Sequence, residues 1–158
     1  MAKKTAKRYW LMKSEPETYS IENLARDTTT AWGCVRNYQA RNFMLHEMKL
    51  SDQVLFYHSN SEPSGIAGLA QVASLAKPDK TQFDKKSDYF DPKATLTAPR
   101  WFCVDVSFVQ KFPQILSLNE LRSKKELKDM LLLKRGQRLS IQPVAEAEFE
   151  YILKMTKS

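Results

Sequence analysis

The sequence predicts a mixed α+β fold of short strands and short helices in one domain. Three observations carry this. Residues 53–58 and 101–109 alternate: Val54, Phe56 and His58 against Leu55 and Tyr57, then Trp101, Cys103, Asp105 and Ser107 against Phe102, Val104, Val106 and Phe108, the period of two that strands require. Residues 37–48 instead space Tyr38, Arg41, Leu45 and Met48 by threes and fours, with Phe43 and Met44 widening the apolar side, the signature of a helix. The length of 158 residues, 42% hydrophobic, suffices for one sizeable core, and no apolar run approaches the ~20 residues of a membrane span.

Taken in order, residues 1–7 read as a disordered basic arm. Residues 9–12 form a short buried strand that ends at the turn Lys13-Ser14-Glu15-Pro16. Lys13 and Ser14 at that strand end either face a pocket or, respectively, snorkel to solvent and cap the turn. Ser20 caps a short helix with Ile21, Leu24 and Ala25 inward, and Trp32 follows beside Gly33. After the 37–48 helix, Lys49-Leu50-Ser51-Asp52 is a turn, and the 53–58 strand pairs with a run over residues 66–75. Gly68 inside that run marks a bulge or a close approach.

Residues 78–99 form the longest irregular stretch, with Phe83, Tyr89 and Phe90 packing part of it down. Two short helices are expected at 117–121 and 124–132, a final strand at 138–142, and a closing helix opened by Pro143 with Ala147, Tyr151 and Ile152 inward. The reading is of one domain over residues 8–155.

The net charge of +7 fits a polyanionic partner without requiring one, and Arg122, Lys124, Lys125, Lys128, Lys134, Arg135 and Arg138 concentrate it in a late segment. Cys34 and Cys103 belong to no metal-ligand spacing and read as buried, reduced thiols. No metal, no cofactor and no membrane partner are expected. Neither a membrane span nor a signal core is found, which points to the cytoplasm of a bacterium or, in a eukaryote, the nucleus.

Four stretches, YWLMKSEPETYSI, WGCVRNYQARNFM, FYHSN with the following SGIAG, and RLSIQPV, resemble the EVE domain family over nearly the whole chain. The resemblance implies a PUA-like fold, a curved β-barrel of about five to six strands flanked by short helices, related to YTH and ASCH domains. It also implies a non-enzymatic reader of a modified base, with 5-methyl- or 5-hydroxymethylcytosine in DNA as the leading ligand.

Such a reader needs flat walls, fixed edge contacts and outer cations. Trp32 is the first stacking wall, with Tyr57 and Trp101 as alternatives. Ser14, Asn37, Ser59, Asn60 and neutral His58 are the edge readers, Lys13 a further pocket residue, and Val35, Pro63, Ile66 and Gly68 the shapers of a subpocket for the modification. Arg36, Arg41 and Arg138 are the phosphate ligands. Two alternatives stand beside this reading: an RNA-binding PUA-like module, and an ASCH-like amidohydrolase using Lys13 with Glu15 or Glu17 and His58 as base, which lacks any nucleophile motif.

Overall fold

The computed structural model describes residues 8–157, so the expected basic arm lies outside the described residues. Strand β1 (Tyr9–Ser14) leads to helix α1 (Ile21–Asp27) and a short β2 (Thr29–Ala31). Helix α2 (Tyr38–Asn42) continues as a π-helical turn over Phe43–Glu47 into β3 (Gln53–His58) and β4 (Gly65–Val72). Then come β5 (Lys77–Pro78), a 3-10 turn at Lys80–Phe83, β6 (Phe102–Cys103), β7 (Asp105–Ser117), α3 (Leu118–Arg122), β8 (Ile141–Val144) and α4 (Glu146–Met155).

Six strands form one curled, half-barrel sheet in the order β2-β7-β4-β3-β1-β8, and β5 pairs with β6 separately. Among the described residues only β1 and β3 run parallel, joined by the long crossover through α1 and α2. Register shifts between Phe56 and Tyr57, Ile66 and Gly68, and Leu69 and Ala70 are bulges that bend the strands into the curl. Gly68 serves this bend: a Cβ there would collide with the Gln110 carbonyl and lie 2.8 Å from the Ile21 side chain.

Period-two alternation divides the interior. Trp10, Met12, Val54 and Phe56 face Ile21, Leu24, Met44 and Ile141 in one core. Leu11, Leu55, Tyr57 and Ile66 face Leu121, Leu127, Phe149 and Ile152 in the other. Buried Asp52 ties the first core to the chain by accepting from Trp10 Nε1 (3.0 Å), Lys49 N (3.0 Å) and Arg8 N (3.2 Å).

Several expected elements differ, each for a local reason. The 101–109 strand is two strands, β6 and a β7 that runs on to Ser117, with Pro113 in the gap between the Lys111 and Leu116 pairings where no ladder bond is needed. The 124–132 helix is replaced by 3-10 turns at Lys125–Leu127 and Leu131–Leu133. Its buried residues, Leu127, Met130 and Leu132, step by three and two, which no α-helical stripe does. Pro143 lies within edge strand β8 opposite Trp10, and α4 opens at Ala145, whose N–H donates to Glu148 Oε1 (3.1 Å). The 78–99 stretch is pinned by fully buried Gln82: its Nε2 donates to the Asp79 and Trp101 carbonyls (2.8 and 2.7 Å), and its Oε1 accepts from Arg100 N and Trp101 N (2.9 Å each). Among the described residues, no helix is long and apolar enough to cross a membrane.

Candidate functional site

A cavity of about 790 Å³ opens at the margin of the first core, where the ends of β1 and β2, residues 32–37, residues 77–81 and Tyr89 meet. Its size falls within the range of about 300–1,000 Å³ for ligand pockets. The wall begins where the chain leaves the sheet. Ala31 is the last residue of β2 paired with β7, and Trp32 N still donates to the Val104 carbonyl (2.8 Å). Trp32 packs at 87° to Phe56 with ring centroids 5.4 Å apart, and among the described residues its indole N–H has no hydrogen-bond partner. Cys34 follows at φ 66°, turning the chain toward Asn37, whose side chain caps α2 through Ala40 N (2.9 Å).

Asp79 holds this wall in place. Its carboxylate accepts from Cys34 N (2.6 Å), Thr81 N (2.9 Å), Thr81 Oγ1 (2.7 Å) and Arg36 Nη1 (3.2 Å), and it is 3% exposed. Burial opposes its ionisation, but these donors outweigh burial and leave its pKa below the ordinary carboxylate value. Nearby Cys103, also in the wall, is pushed up to about 11 by burial and by the Asp79 charge, so its thiol is protonated at neutral pH.

Arg36 uses all five N–H donors within the protein. Nη1 serves the Val35 carbonyl (3.1 Å) and Asp79 (3.2 Å), Nη2 serves Thr81 Oγ1 (3.0 Å) and the Tyr89 carbonyl (2.7 Å), and Nε serves Tyr89 again (3.3 Å). Its guanidinium also lies 5.4 Å from the Tyr89 ring and 5.1 Å from Trp101. Trp101 in turn stacks on Tyr38 (4.8 Å, 25°), over which Arg41 sits at 4.7 Å. The column Tyr89-Arg36-Trp101-Tyr38-Arg41 thereby joins the cavity loop to α2.

Of the residues singled out in the sequence, the structure brings Lys13, Ser14, Trp32, Val35, Arg36 and Asn37 to the cavity. It places the others elsewhere, for identifiable reasons. Alternation turns Tyr57 and Ile66 into the second core. His58 is buried under α1, where its Nε2 accepts from Ile21 N (3.1 Å). Burial lowers its pKa against the pull of Glu22. Ser59 N donates to the Ser14 carbonyl (3.0 Å), and Asn60 Nδ2 to Glu15 (2.7 Å).

Pro63, after a cis peptide bond from Glu62, borders a separate hollow of about 190 Å³. Gly68 makes room for Ile21 and the Gln110 carbonyl rather than for a ligand. Trp101 is locked in the stack, its Nε1 donating to Asp91 (2.8 Å). Arg36 has no donor left for a phosphate. Arg41 spends three N–H groups on Asn42 Oδ1 and the Arg100 carbonyl. Arg138 is exposed ahead of β8 and outside the cavity wall.

Sequence reasoning missed Tyr19, Asp79, Thr81, Tyr89 and Ser140 in the wall, and it placed Cys34 inside a core although it is exposed. The one signal for Asp79 was Asp79-Lys80-Thr81 after Pro78, the composition of an Asx turn.

The EVE domain model matches residues 8–155. Human thymocyte nuclear protein 1 is 44% identical over 166 residues, covering 93% of this chain and 73% of that protein. A hypothetical protein of Leishmania major superimposes with a TM-score of 0.91 at 49% identity, covering 96% of each chain. The structure of human THYN1 in complex with 5-methylcytosine-containing DNA gives a TM-score of 0.89 at 42% identity, covering 96% of this chain and 98% of that one.

Proposed function

Because the chain belongs to the EVE domain family, we propose that it is a non-catalytic nucleic-acid-binding protein that takes one base out of the stack into this cavity, a 5-substituted cytosine of DNA before all others. The observation that carries the proposal is the cavity itself: a ligand-sized space walled by Trp32, rimmed by Ser14, Asn37, Thr81 and Ser140, and backed by apolar Val35 and Pro78. The relative solved with 5-methylcytosine-containing DNA supplies the ligand class. Trp32 is the stacking surface, the polar rim reads the base edge, and Val35 accommodates the added methyl or hydroxymethyl group.

The binding reading is supported by the commitment of three groups in and near the wall. Asp79 is already fully engaged, the Cys103 thiol is protonated, and the accepting nitrogen of His58 is occupied by Ile21 N–H. None is free to act as general base or nucleophile.

The test is a titration at one stated salt concentration with otherwise identical duplexes carrying cytosine, 5-methylcytosine or 5-hydroxymethylcytosine, repeated with the matching RNA strands. Tighter binding of a modified DNA duplex is expected. Equal, salt-sensitive binding to every strand would replace the reader with a generic polyanion surface.

A further inference from the structure

A base drawn out of a duplex leaves a gap in the stack, and proteins that unstack DNA commonly fill such a gap with an apolar side chain. Residues 92–99 form a short finger whose feet adjoin the cavity wall. Both feet are pinned to fully buried Gln82, the neighbour of wall residue Thr81: Asp91 N donates to the Gln82 carbonyl (3.0 Å) and Arg100 N to Gln82 Oε1 (2.9 Å). An ion pair between Arg100 and Asp91 (3.7 Å) closes the base of the finger, and Asp91 also accepts from Trp101 Nε1 (2.8 Å), which ties it to the aromatic column. Tyr89, two residues before the first foot, lines the cavity itself.

The tip is closed as firmly as the base. Thr95 N donates to the Ala98 carbonyl (3.3 Å), Ala98 N returns the bond (3.0 Å), and Thr95 Oγ1 accepts from Ala98 N as well (3.0 Å). Leu96 and Thr97 are the two residues inside this turn. Leu96 is 83% exposed, more than any other large hydrophobic residue among those described. A lone exposed leucine is ordinary on a surface. This one differs in its mounting, because bonds at the feet and the tip keep the loop from folding over to cover it.

Position and charge say what the leucine meets. Five residues separate Asp91 from Leu96, so the tip lies within about 18 Å of the first foot, a span of a few base pairs at about 3.4 Å each. Lys93 on the finger and Lys80 in the cavity wall are exposed, and neither ammonium meets a carboxylate among the described residues. One leucine beside threonines offers far less apolar surface than the roughly 800 Å² per side of a stable protein interface. It matches a gap one base wide, with cations at hand for the strands on either side.

We propose that Leu96 is a wedge that enters a DNA duplex and takes the place of the base drawn into the cavity, which makes the partner of this protein a duplex rather than a single strand. The proposal rests on the base-binding reading, since the gap exists only when a base has left the stack.

The experiment titrates wild type, Leu96→Ala, Leu96→Phe and the exposed control Leu75→Ala, which alters a residue 66% exposed outside the cavity wall. The ligands are a duplex with one central 5-methylcytosine, the same duplex with cytosine, and the 5-methylcytosine single strand. Leu96→Ala should lower the ratio of duplex to single-strand affinity about 10-fold, the loss expected for one buried leucine side chain. Its slope of log affinity against log salt should stay that of the wild type, because no phosphate contact is removed. Leu96→Phe should restore the ratio, Leu75→Ala should leave it alone, and all three variants should keep the wild-type Tm.

An unchanged ratio in Leu96→Ala overturns the wedge, as does a loss of the same size on the single strand. Wild type that binds the cytosine and 5-methylcytosine duplexes equally, while Leu96→Ala still lowers the ratio, would refute the modified-base reading and leave the wedge standing.

Discussion

On one face of the six-stranded sheet, Trp10, Met12, Val54 and Phe56 meet α1 and α2 and leave a cavity open at their margin. On the other, Leu11, Leu55 and Tyr57 are covered by α3, α4 and the 3-10 turns between them. The same strands build both faces, with neighbouring residues such as Phe56 and Tyr57 assigned to opposite sides. The difference lies in what covers them. The second face is closed by apolar side chains packed on apolar side chains. The first is closed by a polar frame in which Asp79, Arg36 and Gln82 hold backbone groups apart, so an opening persists beside Trp32. Stability on one face is a matter of volume, and on the other of satisfied hydrogen bonds.

Leu127→Ala gives the largest expected effect. Leu127 is fully buried in the second core, and the substitution should cost about 2–5 kcal/mol by denaturant unfolding. The ratio of affinities for modified and unmodified DNA should not change, and a changed ratio would break the separation of the faces.

Arg36→Met should cost less, about 2–3 kcal/mol, since the guanidinium is about one-fifth exposed. It should nevertheless abolish selective binding, because it releases Tyr89 and Thr81 and leaves the buried Asp79 charge uncompensated. Selectivity retained in a folded Arg36→Met would show that the polar frame does not shape the cavity.

A smaller effect is set by pH. The folded pKa of His58 lies below its ordinary value of 6.5, so the neutral ring is favoured by folding. The stability it contributes is fully present above 6.5 and is lost as pH falls from there through the lowered folded value. Asp79 behaves in the same sense in a separate, more acidic window beginning at its ordinary 3.8. His58→Gln should flatten the upper window and leave the lower one intact, as read from Tm against pH.

The smallest perturbation is thiol labelling. Exposed Cys34 should take one maleimide per chain under native conditions, while buried Cys103 stays unmodified. Bound DNA should slow the reaction, because Cys34 lines the cavity. Labelling at the same rate with and without saturating DNA would move the ligand away from this wall.

Elements whose character is local were legible in the sequence. The β3 alternation and the Ser20 cap follow from neighbours in the chain, and the resemblance to the EVE family supplied the curled sheet; the expected 37–48 helix is α-helical over Tyr38–Asn42 and π-helical over Phe43–Glu47, and it buries Ala40, Met44 and Met48 while Tyr38 is exposed. What was not legible depends on register. Tyr57 and His58 sit beside a recognisable motif, but which face each takes is decided by the pairing of Lys13 with Tyr57 and by the bulge between Phe56 and Tyr57. Asp79 was hidden for another reason: its donors, Cys34, Arg36 and Thr81, come largely from a segment more than forty residues earlier in the chain, at separations of 45 and 43 for the first two. Arg36 was recognised as important and given the wrong partners, because an exposed phosphate ligand and a saturated internal strut look alike in one dimension.

The three tryptophans offer the most direct test of the claim that the first-face cavity receives the base. Trp10 Nε1 donates to Asp52 and Trp101 Nε1 to Asp91, whereas Trp32 Nε1 has no partner among the described residues. Their indole N–H resonances, followed by ¹⁵N-edited NMR during titration with a 5-methylcytosine-containing duplex, report separately on the cavity and on its surroundings. The account predicts a large, saturable shift of Trp32 with Trp10 nearly still and Trp101 moved little. A shift confined to Trp101, or none at Trp32 while DNA binds, would contradict it.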